Sequence, residues 1–321
     1  MIVTPPRASR LAVATGLGIV YVVWGSTYLA IAIAVQTLPP LLAAGARFGL
    51  AGVLLLGYVA VRRRPMAWPT LAQWRTATLA GGLLLLGGNG LVMLSERTLP
   101  SGIAAIMIAT TPIWMALIDA LLHRRAPSAL TIGGLLVGLA GAAVLLVPLD
   151  GVGQLDAFWL LVLMTAPVWW ATGSLVARDG PRPPDALLAT GMQMFAGGAV
   201  LLVAGSALGE LAGIDPSRFS DASLLALLYL LVFGSLVAFT AYIWLLDHVP
   251  ITVVSTYAYV NPVVAVALGA VFLHEPITAR TLIAAALILG AVVAIVSGRR
   301  RDALGPTAEE VAAAEAEAEA H

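Results

Sequence analysis

The sequence predicts an all-α membrane protein with ten transmembrane helices, arranged as two inverted repeats of five helices. Hydrophobic residues make up 60% of the 321 residues and charged residues only 11%, whereas about 25% of the residues in an ordinary soluble domain are charged. The apolar residues form runs long enough to cross a bilayer, and the two halves of the chain resemble each other. A soluble chain of this size cannot bury so much apolar surface, so the composition excludes a soluble enzyme and a nucleic-acid-binding protein.

Ten apolar runs are separated by polar or proline-containing breaks. Each run approaches or exceeds the roughly 20 residues that a helix needs to cross the hydrocarbon core. The first run is too long for the core of a signal peptide and lacks a small-residue cleavage site, so we expect a retained helix. The predicted spans are residues 11–34, 40–61, 73–95, 101–122, 130–148, 156–177, 184–207, 222–246, 250–273 and 279–297.

Arginine is distributed unequally between the two sets of loops. The set that includes both termini holds most arginines, among them Arg62, Arg124 and Arg300, and the other set holds Arg97, Arg218 and Arg280. Because basic residues accumulate in cytoplasmic loops, residues 1–10 and the C-terminus are predicted to lie in the cytoplasm. Residues 302–321 form an acidic, low-complexity tail of alanine and glutamate, which we expect to aid solubility.

An internal repeat divides the chain into residues 11–148 and 156–297. At an offset of 146 residues, segment 41–47 aligns with 187–193, and Trp24 aligns with Trp170. Five helices per repeat is an odd number, so the second repeat must enter the membrane in the opposite sense. Inverted repeats are typical of secondary transporters, whose substrate site lies near the midplane where the repeats meet. Chance similarity between helices rich in leucine, alanine and glycine is the alternative.

Short motifs are spread over residues 11–297. They are Trp24-Gly25-Ser26-Thr27-Tyr28, Ala46-Arg47-Phe48, Pro112, Asn261-Pro262 and Phe272-Leu273-His274-Glu275-Pro276. In these motifs and in its doubled five-helix unit, the chain resembles the drug/metabolite transporter superfamily, and within it the EamA-type exporters. The resemblance implies an inner-membrane carrier with a central cavity that exports amino acids, metabolites or drug-like compounds. The first repeat departs from the family pattern, because His123-Arg124-Arg125 stands where members often carry an acidic residue before the proline.

Arg47 is the sharpest candidate for substrate binding, because it lies seven residues inside the second predicted span. A charge at such depth usually faces a cavity or a partner, and a guanidinium group binds carboxylates and phosphates with two parallel hydrogen bonds. The alternatives are snorkelling to the outer interface and a bond to a helix carbonyl. Gln193 is its equivalent in the second repeat, where a hydrogen bond between helices and a substrate contact are both open.

Prolines and polar residues lie inside the fourth and ninth predicted spans. Pro112 and Pro262 each free the carbonyl four residues earlier, which suits a gating bend or a substrate contact, with a static kink as the alternative. Tyr257 and Asn261 share a helix face. The other candidates for the cavity wall, some of which are expected only to join helices, are Trp24, Thr27, Asn89, Thr111, Trp169, Trp170 and Tyr259.

Several other functions lack the residues they need. The chain has no lysine, which excludes a G-x-x-x-x-G-K-[ST] loop, and it has no H-E-x-x-H motif. We therefore expect no catalytic site, cofactor or metal, and a membrane enzyme or sensor is a weaker alternative than a passive channel or facilitator. No carboxylate lies at mid-depth, so transport is predicted to be facilitated, or coupled through peripheral acids such as Asp119 or Glu96.

The expected partners are a small-molecule substrate and the lipid bilayer, with no nucleic acid. Pairs of glycines four residues apart, Gly45/Gly49 and Gly134/Gly138, permit close approach of helices. Packing within a monomer explains them better than a dimer contact, so we expect a monomer or a weak homodimer.

Overall fold

A computed structural model describes residues 9–62, 68–99, 104, 107–124, 127–146, 156–264 and 279–304, and within these ranges the secondary structure is helical with no strand. The predicted positions Pro100, Arg125 and Phe272–Pro276, together with residues 305–321 of the tail, lie outside the described residues. The helices are α1 Arg10–Ala34, α2 Pro40–Val61, α3 Leu71–Ser95, α4 Thr111–His123, α5 Ala129–Leu146, α6 Ala157–Asp179, α7 Ala186–Ala207, α8 Asp221–His248, α9 Ile251–Val264 and α10 Ala279–Leu304.

Six of these helices (α1, α2, α3, α6, α7 and α8) are long and apolar enough to cross a membrane. The apolar stretches of the other four are shorter within the described residues, at Thr111–His123, Ala129–Gly141, Ile251–Val264 and Leu282–Ile295. Large apolar side chains such as Leu54, Val203 and Val293 are exposed on the outside of the bundle, as expected for a surface that faces lipid. The described part of the chain is thus an all-helical membrane protein.

Local sequence sets where the helices begin. The side chains of Ser9, Asp156, Asp185 and Ser220 accept hydrogen bonds from backbone amides in the first turn of α1, α6, α7 and α8. Thr70 and Gln73 form a reciprocal capping box at the start of α3. Helix α2 begins with Pro39 and Pro40, which supply no side-chain cap.

Two helices contain a wider, π-type segment. It spans Gly82–Gly90 in α3 and Leu230–Phe239 in α8, which are the third helices of the two predicted repeats. The i to i+5 pattern of a π segment is rare and leaves backbone groups without their α-helical partners, and such segments are frequent at functional sites. Both segments contribute residues to the centre of the bundle.

Helices α2 and α7 cross at backbone contact. A Cβ atom on Gly52 would lie 2.4 Å from the backbone nitrogen of Phe195, and one on Gly198 would lie 2.4 Å from that of Gly49. Gly134 and Gly141 similarly bring α5 against Ile295 and Ile288 of α10. The small residues therefore serve close packing between helices of one chain.

The bundle has two distinct ends. We name the end with residues 35–39 and 208–220 the first end, and the end with residues 180–185 and 249–250 the second end. At the first end, the carboxylate of Glu210 accepts hydrogen bonds from the amides of Leu41 and Leu42, at 3.1 and 2.9 Å. These two bonds supply the cap that Pro39 does not provide. The Glu210 carboxylate also places a negative charge at the positive end of the α2 dipole.

Ion pairs bridge the helices at the second end. Arg178 of α6 lies 2.6 Å from Asp119 of α4 and 2.7 Å from Asp179, and His123 lies 3.1 Å from Asp119. Arg182 pairs with Asp247 at the end of α8. In the sequence, Asp119 lies four residues before His123, and the structure adds Arg178 as a partner from another helix.

Candidate functional site

A central cavity lies between α1, α2, α3, α4, α6, α8 and α9. It encloses about 680 Å³ of space free of protein atoms, counting the open solvent at its mouth. Its lining residues are Trp24, Thr27, Tyr28, Ile31, Arg47, Phe48, Gly88, Asn89, Val92, Ile108, Thr111, Trp170, Gly234, Phe239, Tyr257 and Asn261. Residues from both predicted repeats thus line the same cavity.

Aromatic rings form one side of this cavity. Trp24 and Trp170, which align in the two predicted repeats, meet edge to face with ring centroids 5.4 Å apart, and Trp24 also packs against Tyr257 at 4.9 Å. Each indole N–H is paired: Trp24 donates to the carbonyl of Gly234 at 3.2 Å, and Trp170 donates to the Tyr242 hydroxyl at 3.0 Å. Paired N–H groups leave the rings as rigid apolar surfaces on which an organic solute can pack.

Arg47 supplies the positive charge of the cavity. Its side chain is only 5% exposed, and its Nη2 donates to Oδ1 of Asn89 at 3.1 Å. The Nε atom is buried without a hydrogen-bond partner, and none of the ion pairs among the described residues includes Arg47. Its guanidinium carbon lies 4.0 Å from the ring centroid of Phe48. A buried cation with one side-chain partner is a strong attractor for an anionic group.

Glycine in the π-type segment of α3 lets the cavity walls approach. A Cβ atom on Gly88 would lie 2.5 Å from Cε3 of Trp170, so only glycine fits there without displacing the ring. The next residue, Asn89, meets Arg47 from the same segment. In α8 the corresponding segment offers the Gly234 carbonyl to Trp24. The two wide segments thus position both the aromatic and the charged parts of the site.

Helical structure is interrupted beside the cavity, just before α4 and within α9. The chain turns at Ala109–Thr110 before α4 begins, and again at Ser255–Thr256 within α9. The hydroxyl of Thr111 donates at 2.6 Å to the carbonyl of Ile108, which is the carbonyl that Pro112 leaves without a helical donor. Pro112 and Pro262 do not line the cavity, and their predicted effect on gating stays a prediction.

Most of the predicted cavity residues come together. Trp24, Thr27, Arg47, Asn89, Thr111, Trp170, Tyr257 and Asn261 line the cavity, and Tyr257 and Asn261 share a face as their spacing predicts. Three predicted residues lie elsewhere. Trp169 is 44% exposed and bonds to Thr165, Tyr259 donates to the carbonyl of Leu135 at 2.9 Å, and Gln193 lines a cleft at the second end.

Half of the residues that line the central cavity were not among the candidates predicted from the sequence. Tyr28 and Phe48 occur in the motifs noted above, but Ile31, Val92, Ile108 and Phe239 are apolar residues within apolar helices and carry no signal of their own. Gly88 and Gly234 became visible only through their contacts.

Two clefts, of about 1080 and 1180 Å³, lie at the first and second ends.

Comparison with known proteins identifies the family. The sequence pattern of the EamA-like transporter family matches residues 13–147 and again residues 157–297. The chain belongs to the EamA-like transporter family. As a family member, it is a transporter of the membrane and not an enzyme.

Several relatives of this EamA-like chain share its length. "Uncharacterized inner membrane transporter YedA" of Escherichia coli (strain K12) is 36% identical over 282 residues, which cover 87% of this chain and 89% of the relative. Protein PecM of Dickeya dadantii (strain 3937) is 28% identical over 279 residues, covering 85% and 88%. A solved crystal structure superposes with a TM-score of 0.71 at 21% identity, covering 91% of this chain and 99% of that one, which supports the fold alone.

Proposed function

We propose that this EamA-like protein is a secondary transporter of the cytoplasmic membrane that exports small organic solutes by alternating access. The observation that carries the proposal is the central cavity, whose charged and aromatic walls come from both halves of the chain and which lies between clefts at the two ends. A cavity lined by both halves of a membrane transporter is the natural place for a solute to bind.

The proposed architecture is ten transmembrane helices in two inverted repeats, with both termini cytoplasmic. The family matches the chain twice, over two consecutive halves. Equivalent helices also meet in pairs: α1 and α6 through Trp24 and Trp170, α2 and α7 through Gly52, and α5 and α10 through Gly134. Pairing of equivalent helices is the arrangement expected around a pseudo-two-fold axis in the membrane plane.

Contacts between the halves at each end support alternating access. At the first end, Glu210 of the second half holds the start of α2, and Ser223 donates to the carbonyl of Ile33 at 2.8 Å. At the second end, Arg178 of the second half holds Asp119 of the first. Breaking one set while the other persists would open the cavity to one side of the membrane at a time.

We further propose that the substrate is a small organic anion with an apolar or aromatic body. The Arg47 guanidinium, held by Asn89, would bind a carboxylate or phosphate, and Trp24, Trp170 and Tyr257 would contact the apolar part. The bond to Asn89 and the burial of Arg47 favour this role over snorkelling.

Counterflow in liposomes tests the transport mechanism. The full-length protein is reconstituted, the liposomes are loaded with unlabelled 3-phenylpropionate, and labelled 3-phenylpropionate is added outside at a low concentration. A carrier accumulates the label inside the liposomes transiently above its equilibrium level, because unlabelled internal solute that leaves drives the binding site to return with label. A channel only lets the label equilibrate. Liposomes without protein are the control.

A wider panel covers the case in which this probe is not carried. Amino acids, nucleosides, organic cations and dyes are tested in the same way. Equilibration without overshoot would replace the carrier by a channel, and no protein-dependent flux of any probe would overturn the proposed function. Efflux from preloaded cells tests the direction of transport.

A further inference from the structure

The carboxyl group of Glu96 is buried at the first end of the bundle. Glu96 follows the last residue of α3, and its backbone amide still donates to the carbonyl of Val92 at 2.9 Å. Both carboxylate oxygens are shielded from solvent, and neither has a hydrogen-bond partner among the described residues. This differs from Glu210 at the same end, whose two oxygens accept backbone amides.

Glu96 lies between two spaces. Val92, one helical turn earlier, lines the central cavity, and Arg97, the next residue, lines the cleft at the first end. Glu96 is thus buried on the stretch Val92–Arg97, which lines the cavity at one end and the cleft at the other, and which we call the wall between them. A change that opens the cavity toward the first end must rearrange this wall.

Tyr28 connects Glu96 to the cavity. The Tyr28 hydroxyl lies within electrostatic range of the Glu96 carboxylate and near the side chain of Asn261. In the orientation that satisfies its amide, Asn261 donates to the carbonyls of Tyr257 and Tyr21 at 2.9 and 3.2 Å. Tyr28 and Asn261 both line the cavity, so a solute in the cavity can act on the surroundings of Glu96.

The charged groups on the neighbouring helices are engaged elsewhere. Helices α2 and α6 pack against the end of α3. The charged side chain of α2 within the bundle is Arg47, which bonds to Asn89, and Asp156 at the start of α6 caps its own helix. From α1, the ionisable group that faces Glu96 is the neutral hydroxyl of Tyr28. In the described part of the chain, no cation therefore compensates a negative charge on Glu96.

A carboxylate without water, a cation or a hydrogen-bond donor is strongly disfavoured, so the group binds a proton instead. Burial accordingly raises the pKa of Glu96 from its usual 4.5 to about 8. Water that reached the carboxyl group in a conformation open at the first end would solvate the charge and lower the pKa. The proton would then leave as H⁺ to that water and a carboxylate would remain.

We propose that Glu96 is the proton-binding site through which a pH gradient drives transport by this protein. Protonation favours the conformation with the wall intact, and deprotonation favours the conformation open at the first end. The proposal rests on the proposed transport function and adds the coupling ion to it. Asp119, the other peripheral acid considered from the sequence, is held by Arg178 and His123 instead.

Infrared spectroscopy of the reconstituted full-length protein tests proton binding without any substrate. The wild type should show the C=O stretch of a buried protonated carboxyl group at neutral pH, and the band should disappear as the pH rises through about 8. Glu96→Gln should lack this band. Asp221→Asn, which removes an exposed carboxylate at the same end, should retain it. Absence of the band from the wild type, or its persistence in Glu96→Gln, would overturn the proposal.

Transport of labelled 3-phenylpropionate provides the second measurement. In the wild type, a pH gradient should change the initial rate of uptake several-fold. Glu96→Gln, which mimics the protonated group, should keep counterflow at equal pH and lose the response to the gradient, and Asp221→Asn should keep both. Counterflow with no response to the gradient in the wild type would overturn the role of Glu96 and leave the carrier mechanism standing. If no probe is carried, the transport proposal fails, and a coupling role for Glu96 falls with it.

Discussion

At the residue scale, Arg47 and Glu96 form a contrast. Both are ionisable groups removed from water, but Arg47 has a polar partner in Asn89 and its charge faces the cavity, whereas Glu96 has no partner among the described residues. The guanidinium remains charged in almost any protein environment, and a carboxyl group can neutralise itself with a proton. One group is therefore suited to hold an anion and the other to exchange a proton.

Replacing Arg47 tests the anion site. Arg47→Gln should weaken binding of 3-phenylpropionate about 10- to 100-fold, because a charge-assisted hydrogen bond contributes about 1.5–3 kcal/mol. Arg47→Lys should lose less, since it keeps the charge but not the planar pair of donors. Trp24 and Trp170 line the cavity, so quenching of tryptophan fluorescence can report the affinity.

Two controls accompany this measurement. The neutral isostere 3-phenylpropionamide should bind wild type and Arg47→Gln with similar affinity. Arg218→Gln, at an exposed arginine of the first end, should leave anion binding unchanged. Equal affinity of Arg47→Gln and the wild type for the anion would show that Arg47 does not bind the substrate.

At the element scale, the π-type segments of α3 and α8 set the shape of the cavity. Gly88→Ala places a methyl group where a Cβ would lie 2.5 Å from Trp170, and we expect the ring to be displaced. Overpacking of this kind costs about 1–3 kcal/mol, so thermal stability should fall slightly and counterflow should fall strongly.

Gly82→Ala is the matched control for this prediction. It lies in the same segment, and the nearest heavy atom to its added Cβ would be 4.0 Å away. Both substitutions place alanine in the same wide helix, so their backbone effects should be similar. Equal counterflow rates for the two variants would show that the contact between Gly88 and Trp170 does not shape the transport site.

The elements also show what sequence can predict. Most helices begin and end within a few residues of the predicted apolar runs, because burial in lipid demands apolar residues at nearly every turn. The exceptions are the partly described fourth and ninth spans and α10, which is longer than its run. The wide segments were not predicted, since Leu83–Leu86 reads as ordinary helix. Trp169 and Trp170 differ by about 100° around a helix, so only one could face the cavity. Helix geometry alone does not say which, and only the alignment of Trp170 with Trp24 in the internal repeat favours Trp170.

At the scale of the whole molecule, the topology can be measured directly. The chain contains no cysteine, so a single introduced cysteine needs no background substitutions. In intact cells, a membrane-impermeant maleimide should label Asp215→Cys at the first end and should not label Ala320→Cys in the tail. Both should react after permeabilisation. Labelling of Ala320→Cys in intact cells would place the C-terminus outside and reverse the predicted orientation.

The backbone crossing of α2 and α7 has a mechanical consequence. Gly49, Gly52, Gly198 and the Phe195 backbone meet with no layer of side chains between them, and this crossing joins one helix of each half. Sliding one helix along the other would drive neighbouring side chains into the gap, and separating them would leave a void in the bundle. Rotation about the point of contact meets neither obstacle. If the two halves rock against each other, this crossing is the fulcrum, and the largest displacements belong to the ends farthest from it.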